Sequence, residues 1–257
     1  MKELVAILLI LAAAVGALAW LQREDGKNHP RLMVYCAAGL KKPVEEIAAQ
    51  FRHESDAEVQ LQFGGTGSLL SAIRTTKSGD LFIAADTSAI ADGQRYGIFT
   101  KVIPVISQHP VIAVKAGNPK AIQALHDLLR DDVRVALANP ESAAIGRTTQ
   151  RVVGARWEQL REHATVLKPT VMDITGDLAL GAVDAAVVWD ALAKQFKGIE
   201  AVDAPEFAGI RENASAAILG SCKQPELALK FARYLATPET GGAIFRAQGY
   251  TPIADDR

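Results

Sequence analysis

The chain has 257 residues, 49% hydrophobic and 22% charged, a balance that excludes intrinsic disorder and leaves room for one large or two ordinary domains. Its formal net charge is −1, with Lys and Arg scattered along the sequence. The electrostatic footprint of a nucleic-acid binder is missing, so nucleic acid is excluded as a partner.

Residues 4–21, LVAILLILAAAVGALAWL, carry no charge, and that length is near the lower limit for a bilayer-spanning helix. Ala17-Leu18-Ala19 also satisfies the small-residue rule of a signal cleavage site. The run is long for a signal and no lipobox Cys follows it, so a cleaved signal and an uncleaved anchor both stand; the flanking charges, Lys2 before the run and Arg23, Lys27 and Arg31 after it, do not decide between them. Residues 1–21 are thus expected to be a signal peptide or membrane anchor, and residues 22–30 a polar linker.

From Arg31 the pattern alternates. Leu32-Met33-Val34-Tyr35 reads as a strand, and Val44, Ile47, Ala48 and Phe51 fall on one helix face. The alternating run Val59-Gln60-Leu61-Gln62-Phe63 predicts the next strand, followed by a helix from Ser68 and a strand at residues 80–85. Further on come a strand at 110–117, a helix bearing Ile122, Leu125, Leu128 and Leu129, and a strand at 133–138. A helix with Val153, Trp157 and Leu160 follows, then strands at 185–189, 199–202 and 214–219. A last helix opens at Pro225, with Ala228, Phe231, Ala232 and Leu235 on one face. This order predicts βαβ units around mostly parallel sheets.

The stretch FGGTGS, residues 63–68, sits where a strand hands over to a helix. Glycines there let the main chain approach a ligand, and the first N–H groups of the helix lack internal partners. With the hydroxyls of Thr66 and Ser68, such a junction can hold an anion. The structural alternative is a Gly-rich turn with a serine N-cap. The stretch has neither the Lys of a P-loop nor the spacing of a dinucleotide fingerprint. Similar small-residue junctions occur at residues 35–40 and 138–146, and Val188-Trp189-Asp190 ends a buried strand. Ligands of open α/β sheets bind outside such carboxyl ends.

The motifs VYCAAGL, FGGTGSLLSAI, GDLFIAAD, ALANPESAAIGR, VDAAVVW and FARYLATPETGGAIFRAQGY occur in that order. The set resembles the periplasmic molybdate-binding proteins of ABC transporters and spans residues 31–252. The resemblance implies an α/β type II periplasmic binding fold, two-lobed and preceded here by the N-terminal hydrophobic helix. Lobe 1 would hold residues 31–106 and 213–257, and lobe 2 residues 107–212. Ile103-Pro104-Val105 and the segment 211–216 would be the crossings.

The resemblance also implies a ligand set of Ala38, Gly39, Thr66, Gly67, Ser68, Ile145, Ile174 and Trp189. The family's first serine is replaced by Gly39, which leaves only main-chain N–H groups there. Its second serine falls on Thr66, a main-chain donor on Ile145, another in the turn Met172-Asp173-Ile174, and its tyrosine on Trp189. The implied ligand is molybdate or tungstate, with sulfate, phosphate or a small carboxylate as alternatives. The implied protein is a monomeric, cofactor-free receptor, not an enzyme. It would work in the periplasm or on the extracytoplasmic face of the membrane, delivering its anion to an ABC permease. If the N-terminal helix stays in place, a tethered anion sensor is the alternative.

The remaining polar candidates read as structural. Asp86 is expected to cap a helix, and Arg147 to be a solvated helix-face residue, with an auxiliary cation for the anion as its alternative. Asp173 and Asp190 lack accompanying His or Cys at ligand spacing. His53, His109 and His126 form no nucleophile and base constellation. Cys36 reads as a packed thiol, with a disulfide to Cys222 as the alternative.

Overall fold

The computed structural model describes residues 29–253. Residues 4–21 lie outside them, and no helix among the described residues is long and apolar enough to cross a membrane.

The first part of the chain runs β1 (Arg31–Ala37), a 3-10 turn (Ala38–Leu40), α1 (Lys41–Ser55), β2 (Glu58–Gly64), α2 (Thr66–Thr76), β3 (Leu81–Ala84), α3 (Thr87–Arg95) and β4 (Phe99–Gln108). The middle part is β5 (Pro110–Lys115), β6 (Val135–Ala138), α4 (Ala144–Val153), α5 (Trp157–His163), β7 (Val166–Lys168), α6 (Val171–Ala179), β8 (Ala185–Trp189), α7 (Asp190–Gln195) and β9 (Ile199–Val202). The return segment adds β10 (Glu212–Leu219), α8 (Pro225–Ala236), α9 (Gly241–Ala247) and β11 (Thr251–Pro252).

These strands form two sheets, β11-β4-β10-β3-β1-β2 and β7-β6-β8-β5-β9. Within the first, β2, β1 and β3 are parallel, and β10, β4 and β11 run antiparallel to their neighbours. In the second, β7, β6 and β8 are parallel and β5 pairs antiparallel with β8 and β9. The sheets are therefore mixed, not mostly parallel, because each receives strands arriving directly from the other sheet. Only the βαβ units impose parallel pairing.

The chain changes sheets at His109, between β4 and β5, and returns through residues 203–211. The expected crossing Ile103-Pro104-Val105 lies inside β4. Helical spacing correctly marks buried faces: Val44, Ile47, Ala48 and Phe51 on α1, and Ala228, Phe231, Ala232 and Leu235 on α8. The two faces meet at Phe51 and Phe231, whose ring centroids are 4.9 Å apart. Each large side chain buried there contributes roughly 1.5–3 kcal/mol.

Two expected helices differ. Ile122, Leu125 and Leu128 are buried as their spacing demands, yet the helix shrinks to a 3-10 turn, Leu125–Leu129. Side chains intercept its backbone. Asn118 Oδ1 accepts from Ile122 N–H, and Asp127 Oδ2 accepts from the N–H groups of Gln123 and Ala124, a local competition that Asn and Asp win. The helix with Val153, Trp157 and Leu160 is split at Gly154, whose φ of +59° ends α4. Cys36 is buried, Cys222 is half-buried, and both are free thiols, so the alternative disulfide is not formed.

Candidate functional site

The carboxyl ends of the parallel strands in both sheets face one another around a small, partly open cavity. From the first sheet it is lined by Ala37, Ala38 and Gly39 after β1, by Gly64, Gly65 and Thr66 after β2, and by Ala85 after β3. From the second it is lined by Ala143, Ala144 and Ile145 at the start of α4, by Thr170 and Val171 at the start of α6, and by Trp189 ending β8. No lining residue is charged.

The centre of a water-sized sphere can move through about 20 Å³ of this space. If that volume is compact, adding back the 1.4 Å of a water radius gives a void of roughly 3 Å radius. That is the size of one tetrahedral oxyanion and far smaller than a sugar or a nucleotide.

Donors dominate the lining. Helices α2 and α4 start without a side-chain cap, so their positive ends, each equivalent to roughly half a charge, are directed at the cavity. Among the described residues no acceptor is found for the N–H groups of Gly39, Thr66, Ala144, Ile145 or Val171. Thr66 is only 2% exposed, and its hydroxyl likewise bonds to none of the described residues. Trp189 is also 2% exposed, and its Cδ1, beside the indole N–H, lies 3.7 Å from where a Gly39 Cβ would be. Buried donors without acceptors cost about 1–3 kcal/mol each unless something accepts from them.

Gly39 is fixed from behind. The buried Tyr250 hydroxyl donates a short hydrogen bond to the Gly39 carbonyl, and burial pushes the Tyr250 phenol up. This tether orients the peptide at the cavity wall. Sequence reasoning missed Tyr250, although it closes the motif FRAQGY. A Cβ at position 39 would sit 2.9 Å from Val171 Cγ1, so the glycine leaves the room that Val171 and Trp189 occupy.

Of the expected ligand set, Ala38, Gly39, Thr66, Ile145 and Trp189 line the cavity. Gly67, Ser68 and Ile174 do not. Ser68 is exposed on the outer side of α2, and the Gly67 and Ser68 N–H groups donate to the Ser142 carbonyl at 2.8 and 3.4 Å. Ile174 is fully buried one turn into α6. That helix starts earlier than the expected turn, with Thr170 as N-cap, so Thr170 and Val171 reach the cavity instead.

Asp86 and Arg147 also differ from expectation. Asp86 stands at the N-cap position of α3 but makes no capping bond. Its carboxylate, 1% exposed, receives Arg147 Nε and Nη2, both at 2.9 Å. Arg147 is therefore a half-buried partner of Asp86 and is not turned toward the cavity. Asp173 completes a capping box with Thr170, and Asp190 Oδ1 accepts from His109 N–H at 3.0 Å.

The model of the family described as bacterial extracellular solute-binding protein matches residues 32–251. The chain is 28% identical over 230 residues to the molybdate-binding protein ModA of Mycobacterium tuberculosis, covering 85% of this chain and 84% of that protein. Among solved structures, it resembles the Azotobacter vinelandii periplasmic molybdate-binding protein (TM-score 0.73, 20% identity, 87% and 100% of the two chains). It also resembles the sulfate-binding protein SubI of Mycobacterium tuberculosis (TM-score 0.77, 18% identity, 88% of each chain). At these identities the structural likenesses speak for the type II periplasmic binding fold.

Proposed function

The chain belongs to the bacterial extracellular solute-binding proteins, which bind solutes without transforming them, and from that membership we propose that it captures a tetrahedral oxyanion, molybdate or tungstate, for an ABC permease. The observation that carries this reading is the cavity: the size of one such anion, without a charged side chain, and rich in donors that have no acceptor among the described residues. Neutral dipoles at helix N-termini suffice to hold a dianion. The 28% identity to a molybdate-binding protein supports the choice of anion.

In this reading the two sheets with their helices are lobes hinged at His109 and at residues 203–211, close to the expected division at 106/107 and 212/213. The anion enters between them, is enclosed by Thr66 and Gly39 from one side and by Ile145, Val171 and Trp189 from the other, and is released at the permease. The site's lack of any lining carboxylate also sets selectivity. Phosphate near neutral pH carries a proton, and burying that O–H without an acceptor is penalised. Sulfate has no such proton, so it is distinguished from molybdate by size alone. The likeness to a sulfate-binding structure makes sulfate the second reading.

Titration calorimetry of the protein with molybdate, tungstate, sulfate and phosphate at matched ionic strength tests this. One-to-one binding of molybdate and tungstate, with phosphate weaker by at least about a hundredfold (roughly 2.7 kcal/mol), is the expected result. Tightest binding of sulfate would transfer the assignment to the second reading. No heat with any of the four would overturn the oxyanion proposal.

A further inference from the structure

Beside the cavity, one cluster of contacts joins the two sheets, and it explains residues that the cavity does not use. Arg147 and Arg151 stand one turn apart on α4 of the second sheet, each facing a buried carboxylate from the first. Asp86 binds Arg147 through two hydrogen bonds of 2.9 Å, and Ser88 Oγ donates to the same carboxylate at 2.5 Å. Glu212, 3% exposed, accepts from Arg151 Nη2 at 2.5 Å and from Thr148 Oγ1 at 3.3 Å, and its other oxygen accepts from Thr87 N–H at 3.1 Å.

The glycine-rich turn completes the same surface. A Cβ on Gly65 would collide with the carbonyl oxygens of Ser142 and Pro169, and one on Gly67 with the Glu141 carbonyl and the Arg147 guanidinium. Neither glycine has a positive φ. They are needed because the opposite sheet's backbone lies where a side chain would be, and Gly67 N–H donates into it at 2.8 Å.

We propose that Asp86 and Arg147, seated against Gly65 and Gly67, form a clasp that sets how long the closed form holds its ligand, as positioning residues that never touch it. The reading of the cavity as an anion site is assumed for the ligand-rate part of this proposal only. Opening the lobes hydrates both charges, whereas closing buries Asp86 almost completely. Loss of Arg147 would leave that carboxylate buried without its cation, the costly way to break such a pair. Loss of Asp86 leaves a guanidinium whose side chain keeps 23% exposure, a milder defect. When ligand leaves from an open form, a closed state weakened by some factor releases ligand faster by that factor, with little change in capture.

The test compares the wild-type full chain with Arg147→Met, Arg147→Lys, Asp86→Ala and the double variant. Small-angle scattering without ligand measures opening, and stopped-flow measures molybdate association and dissociation. Arg147→Met is expected to raise dissociation about tenfold, to leave association within about twofold, and to increase the ligand-free radius of gyration. Arg147→Lys should recover part of the loss, Asp86→Ala should be milder, and the double variant should fall well short of the summed single effects. Unchanged scattering and unchanged dissociation would overturn the clasp, and so would a collapse of association, which would make Arg147 a ligand contact. If the wild-type protein binds no oxyanion, the anion reading falls, and the clasp is then decided by scattering alone: equal radii overturn it, a larger radius for Arg147→Met upholds it.

Discussion

Gly39 meets Val171 and Trp189 across the cavity, and each is explained by the others. The Val171 methyl 2.9 Å from a Cβ at position 39 is closer than packed atoms tolerate, so Gly39→Ser would push Val171 or the indole into a cavity with room for a single anion. We expect this substitution to weaken oxyanion binding at least about tenfold with little change in melting temperature. Thr66→Ala, which removes a hydroxyl donor to a charged acceptor, should cost about 1.5–3 kcal/mol of binding. Calorimetry on both variants measures this, and wild-type affinity in either would remove that residue from the site. The sequence made much of the cavity lining legible, since Gly39, Thr66, Ile145 and Trp189 end strands or follow them in recognisable motifs. It hid Tyr250 and the partners of Asp86 and Arg147, because a pairing 61 residues apart across two sheets leaves no spacing signal. Ser68 falls outside the cavity lining because a hydroxyl at a helix start faces the cavity or solvent according to the helix's rotation, which no local pattern fixes.

At the scale of elements, apolar periodicity located strands and buried faces but not the ends of helices. Around Ile122 the spacing is helical while Asn118 and Asp127 capture the N–H groups a helix would need. Strand β4 stayed hidden because Pro104 stands inside an apolar run without alternation, where a proline argues against a strand, and β7 because three residues carry no period. The second sheet carries its own electrostatic tie. Asp184, just before β8, accepts from the Arg134 guanidinium and backbone just before β6, and the Arg134 hydrogen bond holds its carboxyl below the usual range. A folded-state pKa below the unfolded one means stabilisation that is complete above the unfolded value, about 4, and is lost as pH falls through the folded value. Asp184→Asn should therefore lower the melting temperature at pH 7, by an amount equivalent to at most about 1 kcal/mol for a pair whose arginine is half exposed. The difference from wild type should shrink in the most acid buffers the fold survives. A difference that grew on acidification would contradict the assignment.

For the whole molecule, the decisive feature is topological. Two sheets that exchange strands at His109 and through residues 203–211 put their parallel carboxyl ends face to face, and that opposition creates a cavity to which each half contributes only part of the lining. In the proposed reading, neutral donors there and charged pairs beside it divide the labour: the donors define what is held, the pairs how firmly the halves meet. The first task needs dipoles that do not titrate, and the second needs groups that water can recover when the halves separate. The central claim is that a single oxyanion occupies this cavity. It is tested most directly by anomalous diffraction from crystals grown with tungstate. The account predicts one strong peak within hydrogen-bonding reach of Thr66 Oγ1, the Ile145 N–H and the Trp189 indole. A tungsten peak elsewhere on the protein, with the cavity empty, would contradict it.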